Sequence, residues 1–169
     1  TRTDRRAVVY ARNASFGIAE DLGLDYFVQL DDDYTHFQYR YLDGQRSASS
    51  ATVRSLDAVF EAMLTFLDDT GALTVALSQG GDHLDGGYAQ LRDGVKRKAM
   101  NVFFCRTDRP VGFLGRVNDD VNTYVVRGSR GALFLTLMRI QIGQPQTQTE
   151  SGGMTDFYRL SGTYSKSFY

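Results

Sequence analysis

Apolar residues recur along this chain with two different periods, and the switches between them mark out its elements. In the stretch SSATVRSLDAVFEAMLTFLDDTG, Leu56, Val59, Phe60, Met63, Leu64 and Leu67 return at helical spacing, which puts them on one apolar face. A serine precedes the pattern as a cap and Gly71 closes it, the pair of signals expected at the two ends of a helix. A shorter helix is predicted over Ala14–Leu22. Short apolar runs rich in β-branched and aromatic residues predict strands at Tyr26–Leu30, in ALTVALS before a glycine turn, in MNVFFCRT and in ALFLTLMRIQI. VNDDVNTYVVRGSRG reads as a loop entering a helix. Strands alternating with helices argue for α/β layers around a sheet that is at least partly parallel. Within it, Tyr26, Phe27, Val28 and Leu30 suit a strand covered on both faces.

Composition narrows the class. A chain of 169 residues is one domain by length and buries a core without disulfides or structural metal. Lys and Arg number 19 against 20 Asp and Glu, a net charge of −1, which excludes a domain that coats nucleic acid by charge alone. One cysteine, Cys105, permits no internal disulfide and fits a reducing, cytoplasmic setting. No apolar run approaches the roughly 18 residues of a membrane helix, and no membrane partner or signal peptide is expected. The sequon Asn13-Ala14-Ser15 therefore reads as an accident. No repeat or linker divides the sequence.

Asp31, Asp32 and Asp33 crowd three like charges where the first strand should leave the sheet. One explanation is a solvated turn whose aspartates cap backbone N–H groups. The other is a divalent cation site. Side chains alternate along an extended strand, so Asp31 and Asp33 would share a face while Asp32 points away. Two hard carboxylates there suit Mg²⁺ or Mn²⁺. An EF-hand is excluded, since its sixth position would be His36 rather than Gly and its twelfth Leu42 rather than Glu. Two histidines and one cysteine make zinc a poor fit.

Further candidates are scattered. Asn118 or Asp119 is placed to cap a helix beginning near Val121, where acids suit the helix dipole. GGDHLDGG and ESGGMT are glycine-rich loops that allow close backbone approach to a sugar or base, but neither is a P-loop or a dinucleotide fingerprint. Gly81, Asp82 and Gly153 are the acceptor-side candidates they supply. Lys96, Arg97 and Lys98 form the densest basic cluster, either a solvated edge or a contact for phosphate. GQPQTQTESGG reads as a surface loop that orders over a donor. The closing aromatics Phe157, Tyr158, Tyr164, Phe168 and Tyr169 are placed to stack a ring or to pack in the core.

ARN at 11–13, GLDYFVQLDDD and GRVNDDVNTY together resemble nucleotide-sugar glycosyltransferases of the GT-A fold, and within them the TET-associated glycosyltransferase family. SQGGD, KRKAMNVFF, QTQTESGGMTDFY and GTYSKSFY fit the same family. The resemblance implies a GT-A-like mixed, mostly parallel sheet flanked by helices. It also implies transfer of a sugar from a UDP-sugar to a 5-hydroxymethylpyrimidine in DNA, with inversion, in systems of phages and bacteria. Asp31 and Asp33 then match the DxD element, Asp33 holding Mn²⁺ or Mg²⁺ and Asp32 facing the nucleotide ribose. Arg12, Asn13 and Lys98 are implied donor contacts. Asp120 matches the base that deprotonates the acceptor hydroxyl, and Asp119 stands where the family pattern usually has Glu. Against the usual GT-A domain, 1–169 lacks the base-binding portion before the metal strand and a C-terminal histidine ligand. It is expected to be a single glycosyltransferase domain or a fragment of a longer one. A protein or glycan hydroxyl as acceptor, and a degenerate module that only binds, are the alternatives.

Overall fold

The computed structural model describes residues 7–43 and 48–144, and of 84–87 the backbone alone. Helix α1 spans Val8–Asp21, starting well before the predicted Ala14. Strand β1 (Tyr26–Gln29), the pair β2 (His36–Leu42) and β3 (Ala48–Thr52), helix α2 (Leu56–Thr70) and strand β4 (Thr74–Ser78) follow. A 3₁₀ segment at Gly80–Gly87 runs into the short α3 (Tyr88–Asp93), then β5 (Val95–Lys96) and β6 (Phe103–Arg106). Helix α4 (Asp119–Gly128) and β7 (Phe134–Gly143) complete the described elements.

Helix α2 forms as its pattern dictates. Ser55 accepts the Ala58 N–H through its hydroxyl, and Gly71 takes the left-handed conformation (φ 63°) that ends the helix. Val59, Met63 and Leu67 line up on one side and are buried. Each contributes about 1.5–3 kcal/mol by leaving water.

The strands form one seven-stranded sheet in the order β1-β6-β4-β7-β2-β3, with β5 paired to β7. The sheet is mixed and flanked by helices, as expected, but it is not mostly parallel. Among the described strands only β4 and β7 run parallel; β1–β6, β4–β6, β2–β7, β2–β3 and β5–β7 are antiparallel. Strands and helices do alternate, but the helices join strands that are not neighbours, so the alternation says nothing of direction. For the same reason β1 is not covered on both faces. It lies at the sheet edge beside β6, with all four residues half-buried.

Alternation along the central strands feeds two apolar layers. Val75 and Leu77 of β4 and Phe104 of β6 face α2, with Val59, Met63 and Leu67. Ala76, Phe103 and Cys105 face the other way, against Val9 and Phe16 of α1 and Tyr124 of α4. This second face, covered by α1 and α4, carries the candidate site. No helix among the described residues is long and apolar enough to cross a membrane.

Candidate active site

Because α1 begins at Val8, Arg12 and Asn13 sit on the helix itself and point across the sheet. Arg12 is neither a cap nor a surface cation. Its guanidinium lies over the rings of Phe103 (4.8 Å) and Phe113 (5.5 Å), and its side chain is only 11% exposed. It donates to Asp119 Oδ2 at 2.7 Å and stands 3.6 Å from Asp31 Oδ1. A cation this buried is stable only beside anions; here they come from two separate segments. Asn13 uses both arms of its amide on one residue, donating to the Phe113 carbonyl and accepting the Phe113 N–H. It positions the loop before α4.

That loop is shaped by hydrogen bonds. Arg127 donates to the Gly112 carbonyl, Thr123 accepts the Leu114 N–H, and Asn122 donates to the Val117 carbonyl. Gly115 has φ +88°, and a Cβ there would meet the Asn122 amide at 2.5 Å. Asn118 then takes a left-handed conformation (φ 48°), a region Asn enters more easily than most residues. The turn sets Asp119 and Asp120 in the first turn of α4. Asp119 is buried, and burial pushes its carboxyl up while the Arg12 guanidinium opposes the rise. Asp120 is pushed up to about 6, chiefly by burial and also by the neighbouring Asp119 charge; the Val121 N–H and Arg12 oppose this. A carboxyl near 6 is matched to taking a proton at neutral pH.

The acidic triplet departs from the geometry expected of it. The strand ends at Gln29, and Asp32–Asp33 form a turn. The alternation that was to set Asp31 and Asp33 on one face of an extended strand therefore does not apply. Asp31 is held on both oxygens, by Arg12 and by the Tyr34 hydroxyl at 3.4 Å. All three aspartates are exposed. Among the described residues no three His, Cys, Asp or Glu are grouped to hold a metal. Asp31 and Asp33 are exposed carboxylates, hard oxygen donors of the kind that Mg²⁺ or Mn²⁺ takes alongside water and phosphate.

Asp82 and Lys98 belong to a second centre. Asp82 is 3% exposed and pairs with Lys98 and Lys96. Its burial works against ionisation, but the Lys98 contact, the Gln79 N–H and the two ammonium charges outweigh it and hold the carboxyl low. Lys98 thus faces Asp82 rather than Asp31. Gly81 beside it is exposed, with open space where a Cβ would stand. Tyr124 of α4 feels both centres: its hydroxyl is pushed up first by burial and then by the charges of Asp120 and Asp82.

So the structure gathers Arg12, Asp31, Asp119 and Asp120 into one group and Asp82 with Lys98 into another. Gly153, the tract 145–153 and the closing aromatics lie outside the described residues. Four residues escaped sequence reasoning: Phe103 and Phe113 under Arg12, Tyr34 on Asp31, and Tyr124, which feels both centres. Val102, next to Phe103, has φ 52°, rare for a β-branched residue and the kind of strain that collects at functional sites. None of these carries a local signal beyond being aromatic or aliphatic.

The model of the TET-Associated Glycosyltransferase family matches residues 1–153. The chain belongs to that family. It is thus a glycosyltransferase, with a sugar donor and an acceptor to bind. No curated protein and no solved structure matches it.

Proposed function

We propose that this glycosyltransferase moves a sugar from a UDP-sugar to the hydroxyl of a 5-hydroxymethylpyrimidine in DNA. The observation that carries the proposal is Asp120, a carboxyl lifted to about 6 at the start of α4 and joined through Asp119 and Arg12 to Asp31. Asp120 takes the proton from the acceptor hydroxyl. That oxygen bonds to the anomeric carbon, the bond from this carbon to the diphosphate oxygen breaks, and the nucleoside diphosphate leaves. Attack opposite the leaving group inverts the anomeric centre. Arg12 holds Asp119 and Asp31 in place, and its charge also favours the anionic donor. Asp31 and Asp33 would hold Mn²⁺ or Mg²⁺, which supplies Lewis-acid stabilisation of the departing diphosphate. Asp32 lies at the ribose side of the donor and Gly81 at the acceptor side. The base inside a duplex reaches such a site only when flipped or single-stranded, and with a net charge of −1 the affinity is modest and salt-sensitive.

The test is mass spectrometry of hydroxymethylated single-stranded DNA after incubation with a panel of UDP-sugars and Mn²⁺. A hexose added to the modified base is the expected result. Unmodified DNA beside a glycosylated peptide or glycan would move the acceptor to a protein or glycan hydroxyl. A degenerate binding module is the reading favoured by one feature, the pairing of Arg12 with both Asp31 and Asp119. Thermal stabilisation by UDP-sugar that depends on Mn²⁺ and is lost in Asp31→Asn/Asp33→Asn would count against it.

A further inference from the structure

Among the described residues, the second centre gathers more positive charge than the Asp82 carboxylate balances. Arg40, Lys96 and Lys98 all act on His83, with Asp82 as the opposing charge. They come from different elements: Arg40 from β2, His83 and Asp82 from the 3₁₀ segment, Lys96 from β5 and Lys98 from the connection that follows it. Asp82 spends its carboxylate on the two lysines, and its backbone carbonyl accepts a further bond from Lys96 at 2.9 Å. Arg40 acts on His83 through its charge, and each carries an orphan. Nε of Arg40 and Nδ1 of His83 are buried without a hydrogen-bond partner among the described residues. Buried polar atoms left open cost stability unless a ligand or water fills them.

The other side of the imidazole is fixed. The Ser78 hydroxyl donates to the Ile140 carbonyl at 2.8 Å, so its oxygen accepts from His83 Nε2–H at 2.9 Å. That contact fixes the tautomer, with the proton on Nε2 and Nδ1 left as the open acceptor. Burial first, and then the Arg40 charge, hold His83 down at about 4.

We infer that Arg40, His83, Lys96 and Lys98 form a binding site for a phosphate oxyanion. A phosphate oxygen accepts from Arg40 Nε–H, and its charge favours a proton on His83 Nδ1, which turns the second orphan into a donor. Two sources share this chemistry: the phosphodiester of an acceptor strand and the diphosphate of a nucleotide. Which of them matters links the site to the reading above, but the site itself does not depend on it.

With only two histidines in the chain, His36 and His83, ring resonances report on the site directly, and His83→Gln assigns them. Inorganic phosphate is expected to shift the His83 signals saturably and leave those of His36 in place. UDP and a single-stranded oligonucleotide form the two further arms, and whichever acts at the lower concentration names the source. Arg40→Gln should weaken the phosphate response about tenfold, and if the oligonucleotide is the source it should lower the slope of log affinity against log salt by about one. A His83 ring unmoved by all three probes overturns the site, as does an undiminished response in Arg40→Gln. Should that variant fail to fold, the wild-type titration decides alone. Failure of sugar transfer to DNA would leave a shifted His83 standing, so the two proposals fall separately.

Discussion

Arg12 and Asp82 are mirror images in charge. Around Arg12, one buried cation serves Asp31, Asp119 and Asp120; around Asp82, one buried carboxylate serves Lys96 and Lys98. Tyr124 feels the charge of both centres, through Asp120 and Asp82. Desolvation acts on Asp119, Asp120 and Asp82 alike, yet Asp120 is lifted and Asp82 is held low. Burial alone therefore does not decide the outcome; the local ratio of cations to anions does. Where carboxylates are in excess, one of them becomes a proton acceptor near neutral pH. Where cations are in excess, the surplus attracts anions.

The largest expected break in this contrast is Asp120→Asn. If Asp120 is the base, transfer falls by about 10²–10⁴-fold while UDP-sugar still raises the melting temperature; near-normal turnover would remove the assignment. Arg12→Met comes next. It leaves Asp119 buried without its partner and should cost about 3–5 kcal/mol of stability, measured by urea denaturation. Lys98→Met is expected to cost less, about 1–2 kcal/mol, because Lys96 still faces Asp82. Equal losses in the two variants would show that the centres do not differ in charge ratio.

The finest test is pH. The folded Asp120 carboxyl titrates near 6, above its ordinary 3.8. The folded state therefore binds that proton more tightly than the unfolded one, and stability is lost as pH rises from about 4 through 6. Asp120→Asn should be more stable than the parent at pH 8 and no different below pH 4. Asp82 has the opposite sign. Its lowered carboxyl contributes stability above 3.8 that disappears as pH falls through its folded value. Asp82→Asn should therefore be least damaging in acid. In the parent, kcat/KM for transfer should fall on the acid side of about 6, and an acid limb unchanged by the identity of residue 120 would refute the base.

Much of the scaffold was legible from local pattern. The spacing from Leu56 to Leu67 with Ser55 and Gly71 at its ends predicts α2 as found, and the apolar runs around Thr74–Ser78, Phe103–Arg106 and Phe134–Gly143 become strands. The helix at NDDV was read from its acids and the preceding Asn, but it starts at Asp119 rather than near Val121 and without the side-chain cap bond expected of Asn118 or Asp119. The β2–β3 pair was not assigned, since its polar residues, such as Gln38, Arg40 and the run Ala48–Thr52, hide a strand that needs only one apolar face. The start of α1 was placed six residues late for lack of a side-chain cap.

By itself, then, the sequence determined the periods of the elements, the clustering of acids at 31–33 and 119–120, and the family. Period is a property of neighbouring residues, and so it survives without the fold. Strand direction, the edge position of β1, and the identity of each charge's partner were decided only in three dimensions. Arg12 meets Asp119 across 107 residues of chain, and Phe103 and Phe113 seat it there. Coulomb forces and desolvation act through space, so the pKa of Asp120 is a property of the packed structure and of no segment taken alone.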